Sequence, residues 1–127
     1  MKNRKENSPV EIYIHIPFCI RKCDYCDFLS GPSRPKEQAD YVQALLREIQ
    51  AVEEGEGRSV SSIFIGGGTP SVLDERLLGD ILKEIRNKFK MEEDAEITIE
   101  VNPGTANIGK LQAYREMGIN RLSIGLQ

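Results

Sequence analysis

The sequence predicts an α/β fold of repeated strand–helix units with parallel strands, and three observations carry that reading. Stretches that alternate apolar and polar residues with period two take turns with stretches whose apolar residues recur every three or four positions. The resulting order is strand, helix, strand, helix, strand, helix, strand, and strands separated by helices pair in parallel through crossovers. The unusual residues, three cysteines and a triple glycine among them, fall just after strands, at the carboxyl ends where β/α folds place their sites. Periodicity alone leaves open whether the sheet curls into a barrel, and whether helices cover one face or both.

Residues 1–10 are polar, charged and aperiodic, and are expected to form a loose leader. From Glu11 to Ile16 the chain alternates, with Ile12, Ile14 and Ile16 on one face and Tyr13 and His15 on the other, a strand with one side to pack and one to present polar groups. A cysteine loop follows, and Gly31-Pro-Ser-Arg-Pro35 punctuates its exit. Between Pro35 and Val52 the residues Val42, Leu45, Leu46, Ile49 and Val52 recur at helical spacing, with proline in the first turn where it is tolerated. Gly55 to Gly57 ends that helix, and Val60 to Ile65 reads as a second strand running into Gly66-Gly-Gly-Thr-Pro-Ser71. A helix over Asp74–Phe89 carries Leu77, Leu78, Ile81, Leu82, Ile85 and Phe89 on one face, with Asp74 as its cap. Glu96 to Val101 alternates as a third strand, with Glu96 expected in solvent at its entrance. Asn102-Pro-Gly104 turns the chain, Ile108 to Met117 is helical with Gly118 at its end, and Arg121 to Gly125 makes a fourth strand.

Composition excludes several classes. With 29% charged and 39% hydrophobic residues, a net charge of -3 and no Trp, the chain reads as a soluble domain. It has no apolar run near the ~20 residues of a membrane helix and no basic stripe for a phosphate backbone, so neither a membrane span nor nucleic acid is expected. No apolar signal-like segment appears either, and the expectation is a reducing, cytoplasmic compartment.

Cys19, Cys23 and Cys26 are the only cysteines among 127 residues. Their C-x3-C-x2-C spacing on one loop offers three soft thiolates, which suit zinc, copper(I) or an iron–sulfur centre. Three ligands are one fewer than a closed site needs, and a four-iron cluster held by three cysteines leaves one iron open to a ligand that is not protein. A Cys3His zinc site completed by His15, a disulfide with a spare thiol, and three unconnected thiols are the alternatives at this stage.

The run Tyr13-Ile-His-Ile-Pro-Phe-Cys-Ile-Arg-Lys-Cys-Asp-Tyr-Cys-Asp-Phe28 resembles the signature of the radical S-adenosylmethionine (SAM) superfamily. Its Tyr-x-His-x-Pro-Phe opening is similar to the oxygen-independent coproporphyrinogen III oxidase family and its heme-chaperone-like branch. The oxidases usually carry a fourth cysteine two residues after the third. Phe28 stands there in this chain and sides with the chaperone-like branch. The resemblance covers residues 11–127 and implies a partial (β/α) barrel of TIM type, a radical SAM core of which about four β/α units are present, as the N-terminal half of a truncated core domain. Half a barrel exposes an edge strand and an apolar layer, so self-association is expected.

The resemblance also implies a site. Cys19, Cys23 and Cys26 would hold a 4Fe-4S cluster, and SAM would bind its open iron. Gly67, Gly68 and Thr69 match the segment whose backbone receives the amino group of SAM. Glu100, in Glu-Val-Asn-Pro103, matches the acidic residue that accepts from the ribose hydroxyls or offsets the sulfonium charge. Tyr13 and Tyr25 match tyrosines placed against SAM, and Gln127 ends an S-x-G-x-Q strand facing the cofactor. The implied chemistry is one-electron reduction of SAM to methionine and a 5′-deoxyadenosyl radical, with the cofactors rather than any catalytic side chain carrying it. Two functions follow from the family: heme binding and delivery by a chaperone, or oxidative decarboxylation of coproporphyrinogen. The implied partners are heme or a porphyrinogen, an electron donor and a heme-accepting protein.

Overall fold

The computed structural model describes residues 8–19, 34–53 and 58–125. Among the described residues, four strands, β1 (Val10–Ile16), β2 (Ser59–Gly67), β3 (Lys90–Val101) and β4 (Arg121–Ile124), alternate with three α-helices, α1 (Pro35–Ala51), α2 (Glu75–Lys88) and α3 (Ile108–Glu116). The strands form one sheet in the order β1-β2-β3-β4, every neighbouring pair parallel. Each strand therefore lies beside the next in sequence, as a singly wound β/α sheet requires.

The alternation read from sequence sorts the residues of each strand onto two faces. Ile14 and Ile16 of β1, Ile63 and Ile65 of β2, and Ile97, Ile99 and Val101 of β3 are buried in one apolar core with Val42 and Ile49 of α1, Leu78, Ile81, Leu82 and Ile85 of α2, and Tyr114 of α3. All three helices contribute to that one core, which answers the question left open by periodicity: the helices cover a single face. On β4 the same side carries Leu122 and Ile124, opposite Ile99 and Val101, and both are exposed. The other face presents a row formed by Tyr13, Phe64, Thr98 and Arg121, which are cross-strand neighbours.

Three strands exceed their sequence-based limits, β1 by the single residue Val10, which pairs with Val60 and so belongs to the sheet and not to the expected leader. β2 runs to Gly67, past the expected end at Ile65, because His15 and Ile16 pair with Gly66 and Gly67. Parallel pairing overrides the turn tendency of glycine there. β3 begins at Lys90, six residues before the expected start at Glu96. Lys90 and Met91 pair with Ser59 and Val60, and the register then jumps so that Ser62 faces Glu96. The Ser59 hydroxyl and the Glu92 carboxylate lie 3.0 Å apart in a hydrogen bond that helps hold this charged, non-alternating segment against β2. Glu96 is exposed as expected, but lies within the strand and pairs with Arg121 of β4.

Helix ends follow their sequence signals. The Asp74 carboxylate accepts from the Arg76 N–H at 2.8 Å and caps α2, and Asn107 accepts from Lys110 N–H at 2.8 Å to cap α3. Gln38, buried in α1, bridges to the loop before α2: its amide donates to the Val72 carbonyl at 3.3 Å, and its carbonyl accepts from Asp74 N–H at 3.1 Å.

Two stability predictions follow from this arrangement. Tyr114 is 1% exposed, and its hydroxyl has no hydrogen-bond partner among the described residues; burial pushes its phenol well above the ordinary range. Tyr114→Phe removes an unsatisfied polar atom and is expected to raise stability by up to about 1 kcal/mol, read as a higher denaturant midpoint with an unchanged slope. The side-chain and backbone hydrogen bonds from Arg76 hold the Asp74 carboxyl below its usual range. A depressed folded-state value contributes stability above the unfolded value of about 3.9 and loses it as the pH falls through the folded one. Asp74→Ala is therefore expected to cost about 1 kcal/mol near neutral pH, with the gap between variant and parent closing as a denaturation series moves into acid below about pH 4.

Candidate cofactor site

The carboxyl ends of β1, β2 and β3 converge through main-chain bonds. Gly68 N–H donates to the Ile16 carbonyl at 2.8 Å, and Thr69 N–H donates to the Phe18 carbonyl at 2.6 Å. The turn after β2 is thus fastened to the stretch that leads into the cysteine loop. A hydroxyl from α1 adds a third tie, with Tyr41 donating to the His15 carbonyl while its ring meets Phe18 edge-on at 5.5 Å.

The close approach depends on glycine. A Cβ on Gly68 would sit 2.6 Å from the Phe18 carbonyl oxygen and 2.9 Å from Cys19 Sγ, so the first cysteine of the cluster motif lies directly against this residue. Gly67 has φ of 123°, in the region that favours glycine, and its N–H donates to Glu100 Oε1 at 2.9 Å. Gly66 faces the polar side of the sheet, where a Cβ would meet Glu100 Oε1 at 2.6 Å, the Phe64 ring at 2.9 Å and the Tyr13 hydroxyl at 3.0 Å. The bare Cα of Gly66 is what allows these three side chains to gather.

This hydrogen bonding determines what the turn can bind. The N–H groups of Gly67, Gly68 and Thr69 are all engaged within the protein, so the turn is not an anion nest. Beside it lie the Thr69 hydroxyl and the Glu100 carboxylate, whose Oε2 has no partner among the described residues. Acceptors and one negative charge suit an ammonium or a hydroxyl-rich group. Gly68, Thr69, Pro70, Glu100, Val101, Asn102, Ser123 and Gly125 line a cleft of about 70 Å³ at this place.

The structure brings together Tyr13, Cys19, Gly67, Gly68, Thr69 and Glu100 among the residues singled out from sequence. Tyr13 is 59% exposed and its ring stacks on Phe64, with centroids 6.0 Å apart and planes within 10°. Cys23, Tyr25, Cys26, Phe28 and Gln127 lie outside the described residues. His15 projects from the polar face beside Gly67, 6.2 Å from the Tyr13 ring. Sequence reasoning did not single out Gly66, Phe64 or Tyr41. Alternation alone places Phe64 on the polar face, but only the β1–β2 register brings it beside Tyr13, and nothing local in sequence marks Tyr41 as the partner of a strand-end carbonyl.

A pair of glycine substitutions tests this site. Gly68→Ala is expected to displace the Phe18–Cys19 segment and to lower iron retained after anaerobic reconstitution at least about fivefold, because a main-chain oxygen cannot yield as a side chain can. Gly79→Ala, where a Cβ in the middle of α2 meets only Met117 Cε at 4.0 Å, is expected to retain iron fully and to gain about 0.5–1 kcal/mol. Equal iron content in the two variants would remove Gly68 from the support of the cysteine loop.

Comparison with known proteins agrees with this geometry. The model of the radical SAM superfamily matches residues 13–127. The heme chaperone HemW of Escherichia coli is 45% identical over 121 residues, covering 94% of this chain and 32% of that protein. The oxygen-independent coproporphyrinogen III oxidase of Escherichia coli is 38% identical over 126 residues, covering 98% and 28%. The solved structure of the latter, coproporphyrinogen III oxidase (HemN), described as a radical SAM enzyme, superposes with a TM-score of 0.86 at 36% identity over 96% of this chain and 29% of that one. This chain spans about a third or less of the length of these relatives, and its four-stranded sheet corresponds to part of the radical SAM barrel. Among the described residues no helix is long and apolar enough to cross a membrane. The acceptor-lined turn suits the amino group of SAM, and three thiolates suit an iron–sulfur cluster. The chain belongs to the radical SAM superfamily, and that membership brings SAM and a 4Fe-4S cluster as its cofactors.

Proposed function

We propose that this chain forms the cofactor-holding part of a heme chaperone, a radical SAM protein that binds heme and passes it to an accepting protein. The observation that carries the cofactor reading is the convergence of Cys19, the acceptor-presenting turn and the Glu100 carboxylate at the carboxyl ends of three adjacent strands. The heme reading rests on the relatives and on Phe28, which replaces the fourth cysteine usual in the oxidases. Oxidative decarboxylation of coproporphyrinogen, the activity named for the relative with the matching solved fold, is the alternative.

Cys19, Cys23 and Cys26 would hold the cluster as thiolates, which makes its assembly sensitive to acid. When bound, the cluster supplies one electron for reductive cleavage of SAM. The chain's own residues bind and orient. Carbonyl oxygens of the Gly67–Gly68 turn and the Thr69 hydroxyl would receive the ammonium of the methionine part. Glu100 Oε2 would accept from ribose hydroxyls, while Oε1 stays on the Gly67 amide. Tyr13, steadied by Phe64, and Tyr25 would lie against the adenine, and Gln127 would face the same cofactor. An electron donor is required to reduce the cluster. His15 is the sole histidine and its ring sits beside the glycine turn, so axial heme ligands would come from other residue types or from outside these 127 residues.

Anaerobic reconstitution followed by electron paramagnetic resonance tests this reading. A four-iron signal that shifts on adding SAM and is lost in Cys23→Ala is expected, and Glu100→Gln should weaken SAM binding about tenfold, the scale of one charge-assisted hydrogen bond. Zinc without an iron signal would overturn the reading and leave a structural thiolate site. In the longer protein, a Soret band that titrates with hemin, with no decarboxylation of coproporphyrinogen, is the chaperone outcome; turnover to a vinyl product would favour the oxidase.

A further inference from the structure

We propose that Ser71 is a positioning residue of this site: its buried hydroxyl clamps the exit of β3 to the turn after β2 and so keeps Glu100 on the Gly67 amide. The proposal rests on the SAM reading of the same site and adds a residue that touches no ligand.

Ser71 is fully buried, four residues beyond Gly67, in the short 3-10 turn Pro70–Val72. Its Oγ accepts from Asn102 N–H at 3.1 Å and is hydrogen-bonded to Thr105 Oγ1. Thr105 Oγ1 donates its own proton to the Asn102 carbonyl at 2.8 Å. The proton of the Ser71–Thr105 bond therefore comes from Ser71. Each hydroxyl donates once, and Ser71 accepts from the main chain and donates to a side chain at once. The Ser71 carbonyl also accepts from Lys110 Nζ, so α3 grips the same turn.

These bonds matter for the site because of where they lie on each loop. Asn102 is two residues after Glu100, and Ser71 is four after Gly67. The Gly67–Glu100 bond inside the site and the Ser71–Asn102–Thr105 cluster outside it span the same two loops. With the outer clamp intact, the carboxylate is held at its place before any ligand arrives, and preorganisation of that kind raises affinity. Ser71→Ala leaves the Asn102 N–H without its acceptor and Thr105 without its donor, so the β3 exit is free to drift and the Gly67–Glu100 bond must bridge the loops alone.

Amide hydrogen exchange on cluster-free protein reads this directly. Ser71→Ala is expected to speed exchange at Gly67 about tenfold while Ile63 and Ile65 within β2 exchange as in the parent, since local opening is separable from global unfolding. In reconstituted protein the same variant should weaken SAM binding about tenfold, but less than about twofold in a Glu100→Gln background, because residues acting through one another are non-additive. Thr105→Val removes the acceptor of the Ser71 hydroxyl and leaves the Asn102 N–H on Ser71 Oγ, so it should speed Gly67 exchange in the same direction by a smaller factor, which keeps the test open if Ser71→Ala does not fold. Unchanged exchange at Gly67, a rise shared equally by Ile63 and Ile65, or equal loss of SAM affinity in both backgrounds would each overturn the proposal. A parent protein that takes up a cluster and ignores SAM would instead sink the cofactor reading, while the exchange result would still decide whether Ser71 clamps the two loops.

Discussion

Two main-chain hydrogen bonds, from Gly68 to Ile16 and from Thr69 to Phe18, tie the turn after β2 to the entry of the cysteine loop, and the site depends on them. They bring Cys19 and the glycine turn into contact without any side chain between. Together with the Gly67–Glu100 bond they engage the main-chain N–H groups of the turn, which is therefore not an anion nest. The same contact explains the run of glycines. Gly68 gives way to Cys19, Gly67 adopts a backbone conformation that suits glycine, and Gly66 leaves room for Glu100, Phe64 and Tyr13.

The sheet supports this by dividing labour between its faces. One face is apolar and carries all three helices, and its isoleucines and leucines supply the burial that holds the strands in register. The other face bears Tyr13, His15, Glu100 and the exposed part of Phe64, groups that a helix layer would have forced to desolvate. A parallel sheet with both faces covered would have no such surface. The polar face is thus available because the crossovers all return on the same side.

The function separates along the same line. The proposed cofactor site is built from residues within this chain, Cys19, the glycine turn and Glu100 among them. Heme and coproporphyrinogen enter through the names of relatives of which this chain spans about a third or less. Phe28 is the residue whose identity favours the chaperone-like branch, because the oxidases usually carry a cysteine there.

Much of this was legible in sequence for a physical reason. Alternation and helical spacing are local patterns, so all four strands and three helices emerge from them, with the cap at Asp74 following from its side-chain chemistry, while the cap at Asn107 was found only in the structure. The spacing of Cys19, Cys23 and Cys26 and the motif around Glu100 are likewise local, and the resemblance they carry led to the superfamily. What is not local was decided by tertiary structure. The entry of β3 at Lys90 comes from pairing with Ser59, against a segment with no strand pattern of its own. The helices lie on one face because each packs into a shared core. Tyr41 reaches the His15 carbonyl, Phe64 stacks on Tyr13, and Ser71 meets Asn102 and Thr105 only once strands far apart in the chain are side by side. A sequence determines which groups a strand offers on each side; which of them meet is set by register, a long-range property of pairing and packing that no short window of residues contains.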